Sequence, residues 1–343
     1  MSTLRVGIVG ASGYSGAVAA RLVVAHPSLA LAFVTSDKLA GTPARRHLGA
    51  AIPQGLTFSR NDEATTLGGA CDVALLATPA EVAAELAPKL LAAHPLLCVV
   101  DLSGAFRLGD AALYPKHYGF IHPAPDLLAS AWYGLPELFG APPPGTRLVS
   151  NPGCYPTATL LALAPLVREG LVERDGIIVD AKSGVSGAGV QAKQEYSFVE
   201  IDEDLRAYKL LGHQHTPEIA RHLGLPRLTF TPHLVPLRRG LLATCYARPR
   251  PGTTAARVHE CLADAYGASS FIDVTAPGEA TMKSVAGTNR ARVGATADGD
   301  VVIAIGVIDN LLKGAAGQAL QNVNLLFGLG ESAGLDKLQP ISP

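Results

Sequence analysis

Leu4-Arg5-Val6-Gly7-Ile8-Val9-Gly10-Ala11-Ser12-Gly13-Tyr14-Ser15-Gly16 is the stretch on which the fold turns. Its apolar, β-branched start predicts a strand over residues 4–9, its glycines a tight turn, and the Ala-rich run behind them a helix to residue 25. Gly10-x-x-Gly13-x-x-Gly16 departs from the usual G-x-G-x-x-G because Ser12 takes the middle glycine position. The spacing still suits a dinucleotide: glycines let the turn close and let the backbone approach a pyrophosphate lying on the helix N-terminus. A glycine triplet alone is often just a turn, and its place after the first strand of a βαβ unit is what gives it meaning. Gly10, Ser12, Gly13, Tyr14, Ser15 and Gly16 are the expected contacts.

The pattern repeats down the chain. Strands predicted over residues 29–35, 73–78, 96–102 and 147–150, with a helix over 80–93, describe a parallel sheet covered on both faces. The expected fold class is therefore α/β, with a Rossmann-type doubly wound domain over residues 1–153. Strands over 177–181, 228–235, 241–248, 271–274 and 301–308 follow with few helices between them, so residues 154–310 are expected to form an α+β domain on a mixed or antiparallel sheet. A last amphipathic helix over 310–327 carries Gly314, Gly317 and Ala319. It is expected to rejoin the first domain, taking residues 311–343 with it.

With 343 residues, 48% hydrophobic and 17% charged, the chain can bury two cores. Its net charge of -1 is scattered, which gives no footprint for nucleic acid or an anionic membrane. No apolar run approaches a membrane span and no leader precedes the first strand, so a cytoplasmic protein is expected. Cys71, Cys98, Cys154, Cys245 and Cys261 are odd in number and lack C-x-x-C spacing, which argues against both a disulfide framework and a metal site.

Cofactor choice is read at the end of the second strand, in Val34-Thr35-Ser36-Asp37-Lys38 with Arg45 and Arg46 beyond. Hydroxyls and cations suit a 2′-phosphate, so NADP is expected over NAD, with contacts from Thr35, Ser36, Lys38 and Arg45; Asp37 is the residue that argues the other way.

Among the cysteines, Cys154 stands apart by position. In Ser150-Asn151-Pro152-Gly153-Cys154-Tyr155-Pro156-Thr157 a strand gives way to a helix expected over 156–167, with Pro in its first turn, where a missing N–H costs nothing. A thiol there feels the positive helix end, which favours thiolate. The alternative is that it merely packs, as free cysteines usually do. A nucleophilic thiol needs a proton carrier, and Gly212-His213-Gln214-His215-Thr216-Pro217-Glu218 is the tightest histidine cluster. Alternate positions on an extended segment point one way, so both rings are expected on one face. A metal site would lack further ligands, and two solvated loop histidines are the other reading. Ser103 and Arg107 follow a strand at the carboxyl end of the first sheet, and Arg238-Arg239-Gly240 lies between two strands of the second. Two separate arginine sites match a substrate with two anionic groups.

These residues stand in motifs that carry a specific resemblance: G-A-S-G-Y-S-G at Gly10, D-L-S-G-A-F-R-L at Asp101, S-N-P-G-C-Y-P-T at Ser150, D-A-K-S-G-V-S-G-A-G at Asp180, G-H-Q-H-T-P-E-I at Gly212, H-L-V-P-L-R-R-G at His233 and D-N-L-L-K-G-A-A-G-Q-A at Asp309. Over nearly its whole length the chain resembles the N-acetyl-γ-glutamyl-phosphate reductase family, relatives of aspartate-semialdehyde and glyceraldehyde-3-phosphate dehydrogenases. The resemblance implies a glyceraldehyde-3-phosphate dehydrogenase-like substrate domain, a homodimer or homotetramer, and NADPH-dependent reduction of an acyl phosphate in arginine biosynthesis. It implies Cys154 as nucleophile, His215 as acid/base, substrate contacts from Ser103, Arg107, Asn151, His213 and Arg239, and cofactor contacts from Ser183, Gly184, Gly187 and Asn310. Gly104-Ala105 and Gln214 depart from the family pattern, the second next to His215. Two other readings stay open here: the same reduction of a carrier-linked aminoadipyl phosphate in lysine biosynthesis, and a dinucleotide-binding redox sensor without turnover.

Overall fold

A strand as apolar as residues 73–76 exposes nothing to water on either side, and Val6, Ile8, Val9, Ala74, Leu75, Val99 and Val100 are wholly buried. A computed structural model describes residues 3–191 and 193–340 and shows how that burial is met. The chain divides into two compact units, one of residues up to 153 with 315–337, the other of 154–314 with the described residues beyond 337.

In the first unit, β1 (Leu4–Val9), β2 (Leu29–Thr35), β3 (Phe58–Ser59), β4 (Val73–Leu76), β5 (Cys98–Asp101), β6 (Trp132–Tyr133) and β7 (Leu148–Ser150) form one sheet in the order β3-β2-β1-β4-β5-β7-β6. Every pairing is parallel. Strand order reverses between β1 and β4, and the crevice at such a switch point is where open α/β sheets bind ligands. Helices Tyr14–Ala25 and Ala80–Ala93 fall where the sequence puts them.

The second unit holds β8 (Ile178–Gly184), β9 (Arg206–Ala207), β10 (Thr229–Val235), β11 (Leu241–Ala247), β12 (Ile272–Val274), β13 (Ala291–Ala297) and β14 (Val302–Ile308), ordered β12-β13-β14-β11-β8-β10-β9. The sheet is mixed: β8 with β10 and β12 with β13 are parallel, the other neighbours antiparallel. The helix Cys154–Arg168 lies on it, buried from Tyr155 to Val167. Gly306 sets its depth, because a Cβ there would collide with the Ala158 carbonyl oxygen.

Besides β3, β6, β9 and several helices of four or five residues, two longer elements escaped the sequence reading. Strand β13 is built of Ala291-Arg292-Val293-Gly294-Ala295-Thr296-Ala297, whose small residues give a faint strand signal; tertiary pairing makes it. Helix Ala255–Tyr266 buries Val258, Cys261, Leu262 and Tyr266 at helical spacing, and Thr254 caps it by accepting the Arg257 N–H at 3.3 Å.

The last helix also differs. A π-turn, Leu312–Ala316, precedes the regular helix Gly317–Leu326, and the chain joins the first unit at residue 315, not 311. Gly314 explains the delay: it packs on Cys154, and its N–H donates to the Asp309 carbonyl at 2.9 Å. Within the first unit the helix is held by amides more than by an apolar stripe. Asn322 donates to the Gly134 carbonyl at 2.9 Å and to Asn151 Oδ1 at 3.0 Å, and Asn324 Oδ1 meets His26 Nε2 at 3.0 Å. Buried amides satisfied in this way rigidify a packing that an apolar stripe alone would leave less specific.

Candidate active site

In the first unit, the glycine turn has the cradle that a pyrophosphate needs. Gly10 has φ +82°, and a Cβ on it would stand 2.8 Å from the Ala77 carbonyl oxygen; one on Gly16 would stand 2.6 Å from the Gly10 carbonyl oxygen. Only glycine fits either place. Gly13 precedes the helix Tyr14–Ala25 without a side-chain cap, so the first helical amides face outward toward a ligand of opposite charge. Ser12 accepts a hydrogen bond from the Ser36 hydroxyl at 2.8 Å, tying the turn to the end of β2. Thr35 is wholly buried beneath the turn, where its hydroxyl accepts the Gly10 N–H at 3.2 Å and donates to Asn61 Oδ1 at 2.6 Å. It supports the glycine turn through these bonds. Lys38 and Arg45 are exposed beyond it.

The residues expected at the end of β5 are already engaged within the first unit. Arg107 is nearly buried, its Nε donating to the Asn151 carbonyl and its Nη2 to the Leu102 carbonyl, both at 2.8 Å. Asn151 is wholly buried, donates to the Ala315 carbonyl at 3.1 Å and accepts from Asn322. Ser103 Oγ accepts the Ala105 N–H at 3.1 Å, and its own N–H donates to Asp101 Oδ1 at 2.9 Å. Burial holds the Asp101 carboxyl above its ordinary range, partly offset by Ser103 and Arg107. These bonds to backbone brace the loop after β5.

In the second unit, Cys154 is the first residue of its helix, with Pro156 in the first turn, where it is accommodated. The other thiols are suppressed. Burial pushes Cys71 and Cys245 up to about 12 and Cys261 up to about 11, and raises Cys98. Cys154 alone sits at a helix N-terminus, where unpaired amides favour thiolate.

Tyr155, Tyr208, His213, His215 and Phe230 pack edge to face around this helix start. The His213 ring centre lies 4.8 Å from His215, 5.6 Å from Tyr155, 5.5 Å from Tyr208 and 5.3 Å from Phe230. Tyr208 donates to the Tyr155 hydroxyl at 3.3 Å, which donates to the His233 carbonyl at 3.0 Å. Burial raises both phenols, and the charge of Cys154 raises each further, which puts the thiol in the field of this cluster.

The two histidines differ in kind. His215 opens the helix His215–Leu223, and Gln214 before it is in the right-handed helical region, so the segment is a helical turn where an extended one was expected. His213 is 2% exposed, and burial, then Lys209, hold its pKa down to about 3. Its Nδ1 accepts the His215 N–H at 3.1 Å, so the ring is neutral with its proton on Nε2. The neutral ring supports the His215 backbone through Nδ1 and keeps Nε2–H as a donor.

Asp309 and Asn310 organise the remainder. Asp309 is wholly buried; Oδ1 accepts the Leu311 and Leu312 N–H groups at 2.8 and 3.0 Å, and Oδ2 accepts the Gly287 N–H at 2.7 Å and lies 3.6 Å from Arg239 Nη1. Asn310 accepts the Gly240 N–H at 2.9 Å and donates to Ser186 Oγ at 2.9 Å. A Cβ on Gly184 would stand 2.7 Å from the Leu237 carbonyl oxygen, one on Gly187 2.8 Å from Ser183 Oγ, and one on Gly314 2.8 Å from Cys154 Cβ. Ser183, Gly184, Gly187 and Asn310, expected together, therefore meet around the Arg239 turn, and Gly314 brings the π-turn against the thiol. Gly314 and Asp309 were missed as site residues, although both lie in the D-N-L-L-K-G motif.

Comparison with known proteins agrees with this division. The family model of the semialdehyde dehydrogenase NAD binding domain matches residues 5–142, and that of the semialdehyde dehydrogenase dimerisation domain matches residues 154–310. The chain is 44% identical to an N-acetyl-γ-glutamyl-phosphate reductase of Symbiobacterium thermophilum, over 99% of this chain and 100% of that one, and 45% identical to one of Ectopseudomonas mendocina, over 97% and 98%. In fold it is similar to a probable aspartate-semialdehyde dehydrogenase from Pseudomonas aeruginosa (TM-score 0.70, 22% identity, 95% of this chain and 99% of that one). The aspartate semialdehyde dehydrogenase with NADP from Candida albicans is similar too (TM-score 0.65, 18% identity, 95% and 99%). Among the described residues, no helix is long and apolar enough to cross a membrane.

Proposed function

The chain belongs to the semialdehyde dehydrogenase family, among the N-acetyl-γ-glutamyl-phosphate reductases, and from that premise we propose that it reduces N-acetyl-γ-glutamyl phosphate to the semialdehyde and phosphate, the third step of arginine biosynthesis. The observation that carries the reading is the Cys154 thiol at a buried helix N-terminus, with the His213–His215 pair packed around that helix start and the Asp309–Arg239 turn joined to it through Gly314.

The Cys154 thiolate attacks the acyl carbonyl, the C–S bond forms, and phosphate leaves with the electron pair of the C–O bond. The dinucleotide, when bound, supplies the hydride that the resulting thioester carbonyl needs. His215 gives a proton to the oxyanion that develops and takes it back as the C–S bond breaks, which frees the aldehyde and restores the thiolate. His213 cannot do this work, because it stays neutral down to about pH 3; it holds the His215 backbone. Arg239, aimed by Asp309, pairs with one anionic group of the substrate.

Gly10, Ser12, Gly13, Tyr14, Ser15 and Gly16 of the first unit are the residues proposed to hold the dinucleotide, and NADP is the form we propose. Exposed Lys38 and Arg45 at the end of β2 support that choice. A homodimer or homotetramer is proposed as the working form. Besides the dimerisation-domain match, the second unit exposes the large apolar side chains Phe198, Val199, Leu210 and Leu211.

The test is phosphate-dependent reduction of NADP by N-acetylglutamate semialdehyde, the reverse reaction, run beside its one-carbon-longer homologue. Cys154→Ser should abolish it while NADPH binding persists. A Ser variant near the unmodified rate, or equal rates with both aldehydes, would overturn the proposal.

A further inference from the structure

The end of β2 holds a contradiction. An acidic residue about twenty positions beyond the glycine turn ordinarily accepts the ribose 2′-hydroxyl and so selects NAD, and Asp37 stands 21 positions after Gly16. Lys38 next to it, with Arg45 and Arg46 further along the chain, is what a 2′-phosphate would want.

The structure resolves the conflict through a residue of another segment. Asn61, just after β3, donates its backbone N–H to Asp37 Oδ1 at 2.9 Å and its Nδ2–H to Asp37 Oδ2 at 2.8 Å. Both carboxylate oxygens are thus engaged by one side chain and its own backbone. The third polar group of Asn61, Oδ1, accepts the Thr35 hydroxyl at 2.6 Å, and Thr35 in turn accepts the Gly10 N–H at 3.2 Å. Glycine turn, end of β2 and Asn61 therefore form one chain of hydrogen bonds, with Asp37 as its outer end. The Ser36 N–H, donating to the Ser59 carbonyl at 2.9 Å, keeps β2 and β3 in the register that this requires.

We propose that Asn61 determines nucleotide choice: by donating to both oxygens of Asp37 it ties that carboxylate to the segment after β3 and weakens it as an acceptor for a ribose 2′-hydroxyl, which leaves a 2′-phosphate to the nearby cation Lys38. This rests on the reading that the glycine turn takes a dinucleotide and that NADP is the preferred form. Asn61 is a specificity device made of an amide. Its fork matches the carboxylate, and its carbonyl is fixed by Thr35, so the amide cannot flip without losing bonds at both ends.

The test is direct binding of NADPH and NADH, followed by nicotinamide fluorescence on the purified full-length protein. The unmodified protein should bind NADPH more tightly. In Asn61→Ala the freed carboxylate faces the ribose, so NADPH should bind more weakly and NADH more tightly, with the ratio of Kd values moving by about tenfold or more, as expected for a hydrogen bond to a charged group. Adding Asp37→Ala to Asn61→Ala should restore NADPH binding. Asp37→Ala alone should change NADH binding little, because Asp37 is a weakened acceptor while Asn61 holds it, and this arm stands even if Asn61→Ala folds poorly.

A ratio within twofold of the unmodified one in well-folded Asn61→Ala, a shift that persists without Asp37, or NADH binding weakened more than fivefold by Asp37→Ala alone would each overturn the inference. Preference for NADH in the unmodified protein would instead overturn the NADP reading, which is a separate outcome of the same titration.

Discussion

Brief treatment with iodoacetamide at pH 7.5 should alkylate Cys154 and leave the other four cysteines almost untouched. Reactivity follows the thiolate fraction, moderated by an intrinsic nucleophilicity that rises with pKa along a Brønsted slope of about 0.4–0.5. An ordinary thiol near 8.5 is about one-tenth thiolate at this pH. Cys71 and Cys245, pushed up to about 12, fall in thiolate fraction by a further factor of about 3000, of which greater nucleophilicity returns about thirtyfold. They should react about a hundredfold more slowly than an ordinary thiol, and Cys261, at about 11, about twentyfold more slowly, before burial is counted. Cys154, partly exposed at its helix N-terminus, should exceed the ordinary rate. Peptide mass spectrometry over a time course measures each site, and reductase activity should fall in step with modification of Cys154. Parallel modification of Cys71, Cys245 or Cys261, or activity surviving a fully alkylated Cys154, would refute the argument from helix position and burial.

His213 gives a pH dependence with a definite sign. Its folded pKa is depressed to about 3, so below about 6.5 the unfolded chain binds a proton that the folded one refuses, and stability falls with pH. Between pH 7.5 and 5 this amounts to about 2 kcal/mol. Hydrogen exchange of peptides over residues 215–223 should lose about thirtyfold protection over that range, corrected for intrinsic rates, in the unmodified protein but not in His213→Gln; equal losses would contradict the buried neutral ring. Gly314→Ala should lower kcat by tenfold or more while NADPH binding holds, since its Cβ would stand 2.8 Å from Cys154 Cβ and the π-turn must shift. An Ala variant with full kcat would show that this close approach is not needed.

The five longer strands of the first sheet were legible because their evidence is local, whereas β3 and β6, two residues each, were not. A buried parallel strand is a run of apolar residues, and Leu4–Val9 and Leu29–Thr35 have the predicted bounds. Strand β13 failed for the opposite reason: Ala291, Gly294, Ala295 and Ala297 carry little intrinsic preference, and only the neighbours β12 and β14 make them a strand. Site residues divide the same way. Cys154 and Gly10 announce themselves by what the adjacent helix and turn require. Arg107, Ser103 and Asn151 look like ligand-binding groups from type and position alone, and the structure gives their polar atoms to backbone carbonyls, amides and Asn322. Sequence shows that a polar residue stands at a strand end; it does not show which partner reaches it first. Asp37 is the clearest case, since its meaning depends on Asn61, which is 24 residues away in the chain and bonded to both of its oxygens. A carboxylate read without its partner argues for NAD, and the same carboxylate tied by Asn61 at both oxygens argues for it less.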